Sequence, residues 1–156
     1  MGKTELSQQD LSAKGLRIAV IAARYNPKVC DGLLRGALRE LQGLGLREEE
    51  ISVWRVPGAF EIPYLAKKIA SSKKYDAVVC LGVVIRGETS HFDYVCSGVT
   101  QGTMQAMLET QIPMAFGILT TDNEKQAMDR AQDDVHNKGL EAARTAVEMV
   151  QLGKAL

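Results

Sequence analysis

The sequence predicts an α/β domain in which a parallel sheet carries helices on both faces. Three observations predict it. Short β-branched runs alternate with longer stretches whose apolar residues recur at helical spacing, and the first of those runs is apolar without a break. The length, 156 residues, suits one such core, so no second catalytic domain is expected.

Residues 16–23 (LRIAVIAA) form the first run, as expected of a strand buried on both faces of a parallel sheet. Arg24-Tyr25-Asn26-Pro27 ends it with turn chemistry, after which Val29, Leu33, Leu34, Ala37, Leu38 and Leu41 mark a helix that Gly43 and Gly45 stop. Residues 51–56 predict a second strand and Pro57-Gly58 a turn, with Leu65, Ala66 and Ile69 inward on a helix over residues 62–70. Residues 76–81 predict a third strand, followed by a long glycine-containing loop. On the next helix Val95, Val99, Thr103, Ala106 and Met107 share one face. Residues 114–119 give a fourth strand. Thr121 and Glu124 are spaced as a capping box for a short helix, and Leu140, Ala143, Val147 and Val150 stripe the last one. Strands alternating with helices imply right-handed crossovers, hence a three-layer α/β/α sandwich of the flavodoxin-like kind with four parallel strands. Residues 1–15 read as a polar leader to a single domain over residues 16–156.

Composition narrows the function. Lys and Arg balance Asp and Glu at 19 each, so no net field draws nucleic acid or an anionic membrane. The apolar runs fall far short of the roughly 20 residues of a membrane helix. The start has no apolar signal-peptide core, so a cytoplasmic location is expected. Cys30, Cys80 and Cys96 are odd in number and form no CxxC pair, and Cys80 reads as a buried hydrophobe. Two histidines argue against a multi-histidine metal site.

Ligands of an open parallel sheet bind past the carboxyl ends of the strands, so those loops carry the functional signal. Tyr25, after the first strand, offers a flat face to a heterocycle or simply packs. After the second, Gly58 and Ala59 let backbone approach a ligand edge. Glu61 there either accepts hydrogen bonds from sugar hydroxyls or complements a helix dipole. The third loop, residues 82–91 (GVVIRGETSH), is richest. Thr89 or Ser90 can cap the next helix, with Asp93 completing a capping box, and the exposed amides plus the Thr89 hydroxyl suit a phosphate. His91 falls in the first helical turn, where the dipole disfavours imidazolium and favours a neutral base. Capping accounts for Ser90 and Asp93 but leaves His91 unexplained. Phe116 on the fourth strand, Arg130 and Lys138 have ordinary readings as core, solvated helix face and turn, and position alone does not decide among the roles.

These segments together resemble a known family. Residues 23–26 (ARYN), 56–63 (VPGAFEIP), 81–94 (LGVVIRGETSHFDY) and 116–121 (FGILTT) occur in the order and spacing of the 6,7-dimethyl-8-ribityllumazine synthases, a likeness running from about residue 16 to the end. The resemblance implies condensation of 5-amino-6-(D-ribitylamino)uracil with 3,4-dihydroxy-2-butanone 4-phosphate, with no metal or organic cofactor. It implies that Tyr25 stacks on the pyrimidine, that Ala59, Phe60 and Glu61 bind the ribityl chain, and that Val83, Val84 and Ile85 present backbone to the pyrimidine edge. Glu88 and Thr89 resemble the phosphate-binding backbone, Arg130 the phosphate clamp, His91 the proton-transfer residue and Lys138 an accessory cation. Phe116 and Arg130 are implied to come from a neighbouring subunit. Family members form pentamers, some assembled twelve to an icosahedral shell that can enclose riboflavin synthase. The short loop here resembles that of shell formers. Residues 132–136 (QDDVH) depart from a glycine-rich stretch of many members that borders subunit contacts, and in a shell the leader could pair with a neighbour's sheet edge. The rival reading is a flavodoxin-like module that binds flavin or nucleotide without catalysis, which would not need His91 beside an anion site.

Overall fold

The structure, a computed structural model, describes residues 10–156. Four strands, β1 (Ile18–Ala23), β2 (Ile51–Val56), β3 (Ala77–Ile85) and β4 (Met114–Thr121), form one parallel sheet in the order β2-β1-β3-β4. Helices α1 (Pro27–Gly43), α4 (Glu124–Asp129) and α5 (Lys138–Lys154) pack on one face, and α2 (Ile62–Ser71) with α3 (His91–Thr110) on the other. This is the expected three-layer sandwich. Every residue of β1 is buried, because a central strand covered twice has no solvent face. β2, at the edge, leaves Val53 and Trp54 more than two-fifths exposed. Among the described residues no helix is long and apolar enough to cross a membrane.

Several boundaries move from their expected places. β3 runs to Ile85, four residues past the expected end at Leu81, because β4 also continues to Thr121 and supplies ladder partners from Gly82↔Ile118 to Ile85↔Thr121. The third loop therefore begins at Arg86. Thr121 lies buried in β4 with its hydroxyl donating to the Asn123 carbonyl (3.0 Å), so it does not cap. Asn123 caps α4 instead, its Oδ1 accepting the Gln126 N–H (2.9 Å) while Gln126 Oε1 accepts that of Asp122 (2.8 Å). Nor do Ser90 and Asp93 form a capping box. Ser90 makes no side-chain cap bond, Thr89 Oγ accepts the His91 N–H (3.3 Å), and Asp93 is drawn to Arg86. Arg130 follows α4 at its C-cap, and Lys138 opens α5 rather than closing a turn. The stop after α1 is Gly45, the one of its two glycines at positive φ (105°).

Before β1, Ala13 is buried and donates its N–H to Leu44 O (2.8 Å), and Gln151 Nε2 donates to Ser12 O (2.6 Å). The expected leader pairing with a neighbour concerns residues 1–9 too, which lie outside the described residues.

The two helices α1 and α5 meet where a Cβ on Gly139 would overlap the Leu33 carbonyl. A Gly139→Ala chain must part these helices, so its unfolding free energy should drop by about 1–3 kcal/mol. Urea titration at matched protein concentration reads this, and an unchanged midpoint would rule out the close crossing.

Candidate active site

In the order β2-β1-β3-β4 the winding reverses between β1 and β3, so α1 leaves toward one face and α3 toward the other. A crevice opens between them at the strands' carboxyl ends. It has a volume of about 320 Å³ and is lined by Tyr25, Ala59, Val83, Val84, Ile85, Gly87, Thr89, His91, Phe92 and Val95.

Backbone bonds hold Tyr25 at its mouth. Arg24 N donates to Val56 O (2.8 Å) and Tyr25 N to Pro57 O (3.1 Å), which ties the loop after β1 to the one after β2. The Cys30 thiol donates to Tyr25 O (3.1 Å), and Asn26 turns the chain at φ 55°. Arg55 braces the same loop by donating to Ala23 O (3.2 Å) while paired with Asp31 (2.9 Å). The Tyr25 ring itself is 73% exposed and therefore free to stack.

Ala59, Phe60 and Glu61 form a 3₁₀ turn. Only Ala59 lines the crevice. Glu61 Oε2 accepts the Gly58 N–H (2.9 Å), which shapes the turn, and Phe60 lies exposed over Gly98, where an added Cβ would come within 2.8 Å of the ring.

β3 outruns its neighbour on the crevice side. Its ladder with β1 ends at Ala22↔Leu81, so Val83, Val84 and Ile85 have a strand partner only toward β4. The backbone facing β1 there is left for side chains or ligand.

The loop after β3 is clamped by Arg86. Its N–H donates to Thr121 O (2.9 Å), and its guanidinium pairs with Asp93 (3.1 Å) and Asp122 (3.3 Å). The same group lies 4.2 Å from the centroid of the Phe92 ring. Three segments thus converge on one planar cation, and the turn between them delivers Thr89 and the exposed His91 to the crevice. Glu88 is exposed and outside the lining.

A second cleft, of about 460 Å³, runs along the free edge of β4 and is lined in part by Phe116, Thr120, Arg130, Lys138 and Glu141. Arg130 Nη1 donates to Gln126 O (2.9 Å), and Lys138 Nζ pairs with Glu141 (2.6 Å). The residues singled out in the sequence therefore divide: Tyr25, Ala59, Val83, Val84, Ile85, Thr89 and His91 share the first cleft, Phe116, Arg130 and Lys138 share the second, and Phe60, Glu61 and Glu88 line neither. A third, apolar cleft of about 410 Å³ lies toward the amino end of β4, among Met107, Leu108, Ile112 and Met149, and holds none of these groups.

Burial pushes the Cys80 thiol up to about 12 and Cys30 to about 11, and raises Cys96 too, so none is a ready nucleophile near neutral pH. Among the described residues no three of His, Cys, Asp and Glu cluster as metal ligands.

Sequence reasoning gave Arg86 and Phe92 no role and gave Val95 only a packing role on its helix. Arg86 and Phe92 stood within a quoted motif, yet the bond to Asp122 arises from the β3–β4 register, which no local spacing encodes.

Fold and clefts together define a doubly wound α/β domain with a crevice at its topological switch point. Over residues 15–154 the chain matches the family model described as 6,7-dimethyl-8-ribityllumazine synthase, and it belongs to that family. The family performs the lumazine-forming step of riboflavin biosynthesis, so the chain is a transferase acting on small molecules, and the non-catalytic flavodoxin-like reading gives way.

Lysine in place of Arg86 keeps the charge but loses the fork that spans two carboxylates. For Arg86→Lys, amide exchange at residues 87–92 should accelerate by about tenfold with global stability nearly unchanged, since exposed ion pairs contribute about 1 kcal/mol or less. Unaltered exchange there would mean that Arg86 does not hold the loop.

Proposed function

We propose that the two clefts are halves of one active site completed between subunits, with the crevice of one chain facing the β4 edge of the next. The observation that carries this reading is the division itself: the ring-stacking and proton-transfer candidates lie at the switch point, whereas Arg130, Lys138 and Phe116 lie along the sheet's outer edge. Among the described residues of one chain the two sets line separate clefts.

In this reading the pyrimidine of 5-amino-6-(D-ribitylamino)uracil stacks on Tyr25, with Phe116 of the adjacent chain approaching it. Its polar edge meets backbone of Val83, Val84 and Ile85, while Ala59, Phe60 and Glu61 receive the ribityl chain. The phosphate of 3,4-dihydroxy-2-butanone 4-phosphate rests on the backbone of Glu88 and Thr89 at the start of α3, where unpaired amides and the dipole favour an anion. Arg130 closes on that phosphate from the neighbour, with Lys138 as an accessory charge. The 5-amino group of the uracil attacks the ketone and forms an imine with loss of water. Loss of the C3 proton expels phosphate from C4 and leaves an enol, which tautomerises to a carbonyl at C3. Attack of the ribitylamino nitrogen on that carbonyl closes the ring and releases another water. His91 moves protons in these steps, an effect worth about 10²–10⁴-fold. Holding the reactants in register contributes up to about 7–11 kcal/mol. No step needs a covalent enzyme intermediate or a cofactor.

Exposed apolar surface supports association. Tyr94 (75%), Met104 (50%) and Leu108 (68%) on α3, with Val53 and Trp54 on the β2 edge, are more than a lone chain ordinarily leaves to water. We take the assembly to be a pentamer, with twelve pentamers forming a shell, working in the cytoplasm.

His91→Ala should lower kcat by about 10²-fold with either KM within about twofold, because positioning survives. Arg130→Ala should chiefly raise the KM for the butanone phosphate. When the two variant chains are unfolded together and reassembled, about a quarter of the sites should regain both groups and restore activity at low phosphate substrate. No recovery on mixing would defeat the shared site.

A further inference from the structure

Arg130 and Lys138 flank a stretch without helix or strand, residues 131–137, that carries no ladder to fix it. Asn137, 1% exposed, fastens it. Its Oδ1 accepts the N–H groups of Gly139 (2.8 Å) and Leu140 (3.2 Å), while Nδ2 donates to Gln132 O (2.7 Å) and to Gly32 O on α1 (3.1 Å). All four hydrogen-bonding places of the amide are filled. The backbone then closes the loop, Lys138 N donating to Arg130 O (2.9 Å). Helix α1 is cleared to admit this group, since a Cβ on Gly36 would overlap the Asn137 amide.

Capping explains only half of this arrangement. An N-cap needs an acceptor, which Asp, Ser or Thr would supply equally. The donor half, reaching Gln132 within the loop and Gly32 on a helix far away in sequence, does nothing for α5. It fixes where the loop lies on α1, and with it where both cations leave the backbone.

We propose that Asn137 is a positioning residue for the phosphate-bearing substrate: its amide sets Arg130 against Lys138 on the rim of the second cleft. This rests on the reading of that cleft as the phosphate side of a shared site.

The test measures kcat and both KM values for assembled Asn137→Ser, which keeps a cap acceptor and removes the donors. Gly36→Ala displaces the amide without changing its chemistry, and serves if the serine variant does not assemble. Either should raise the KM for 3,4-dihydroxy-2-butanone 4-phosphate by about tenfold, the scale of a lost charge-assisted hydrogen bond, with the KM for the uracil substrate within about twofold. Added to Arg130→Ala, Asn137→Ser should raise it by clearly less than it does alone, because part of its effect is carried by that arginine and only the part through Lys138 remains. A proportional rise in both KM values, an unchanged phosphate KM, or full additivity with Arg130→Ala would overturn the proposal. If Arg130→Ala alone leaves the phosphate KM as it was, the reading of the cleft fails and the inference falls with it, a result distinct from failure of Asn137 alone.

Discussion

At the crossing of α1 and α5 the Leu33 carbonyl comes so near Gly139 that no Cβ could stand between them, and one turn along α1 the space over Gly36 is taken by the Asn137 amide. This contact decides more than helix packing. α5 starts at Lys138 because Asn137 caps it there, and Arg130 is held beside that start by the bond from Lys138 N. Arg39 of α1 adds a clasp on the same loop through its ion pair with Asp133. Four bonds to one buried amide contribute about 1 kcal/mol each, but leaving any partner unpaired costs about 1–3 kcal/mol, so the loop has one seat and few alternatives. A buried polar group that is fully satisfied specifies geometry in a way that an apolar contact of equal area does not.

The crevice depends on a different asymmetry. β3 and β4 continue together past the point where β1 stops, which raises a two-stranded shelf at one side of the switch point. From that shelf the chain turns through Arg86, whose carboxylate partners belong to α3 and to the loop after β4. The guanidinium therefore joins the crevice to the segment that leads on to Arg130. Loops are ordinarily the loosest part of an α/β domain, yet here both candidate ligand loops are tied at each end to regular structure. That rigidity suits a reaction whose proposed acceleration comes mostly from holding two small molecules in register.

The layers and the strand order's parallel sense were legible in the sequence because alternating buried runs and amphipathic stripes admit few other architectures. The crevice was legible for the same reason: strand ends converge in such a sheet, so the sequence alone groups Tyr25, Ala59, Thr89 and His91, which line one crevice. Helix caps were less so. Thr121 with Glu124 and Ser90 with Asp93 have capping spacing, but β4 claimed Thr121 for its ladder and Arg86 claimed the Asp93 carboxylate. The second misreading comes from an arginine seven residues back, the first from a strand partner distant in sequence. Asn137 was hidden likewise, since an Asn before Lys and Gly reads as a turn until Gly32 and Gly36 are brought against it by the crossing of α1 and α5.

Chemical incompleteness and apolar exposure coincide on this chain, and that coincidence argues for assembly more strongly than either alone. The β4 edge carries two cations and Phe116, 43% exposed, in a cleft whose lining includes no imidazole. The crevice holds an imidazole and a bare aromatic ring but no cation among its lining residues. A face that is merely sticky gives any dimer, whereas two unlike faces on one chain, each supplying what the other lacks, fit only head to tail. Repeated by a rotation that closes, as the proposed pentamer requires, such a contact gives a ring in which every crevice has one β4 edge and no edge is left over. In the proposed ring the exposed Phe116 edge would leave water in the same step, so the burial that stabilises the assembly would be the event that assembles the site.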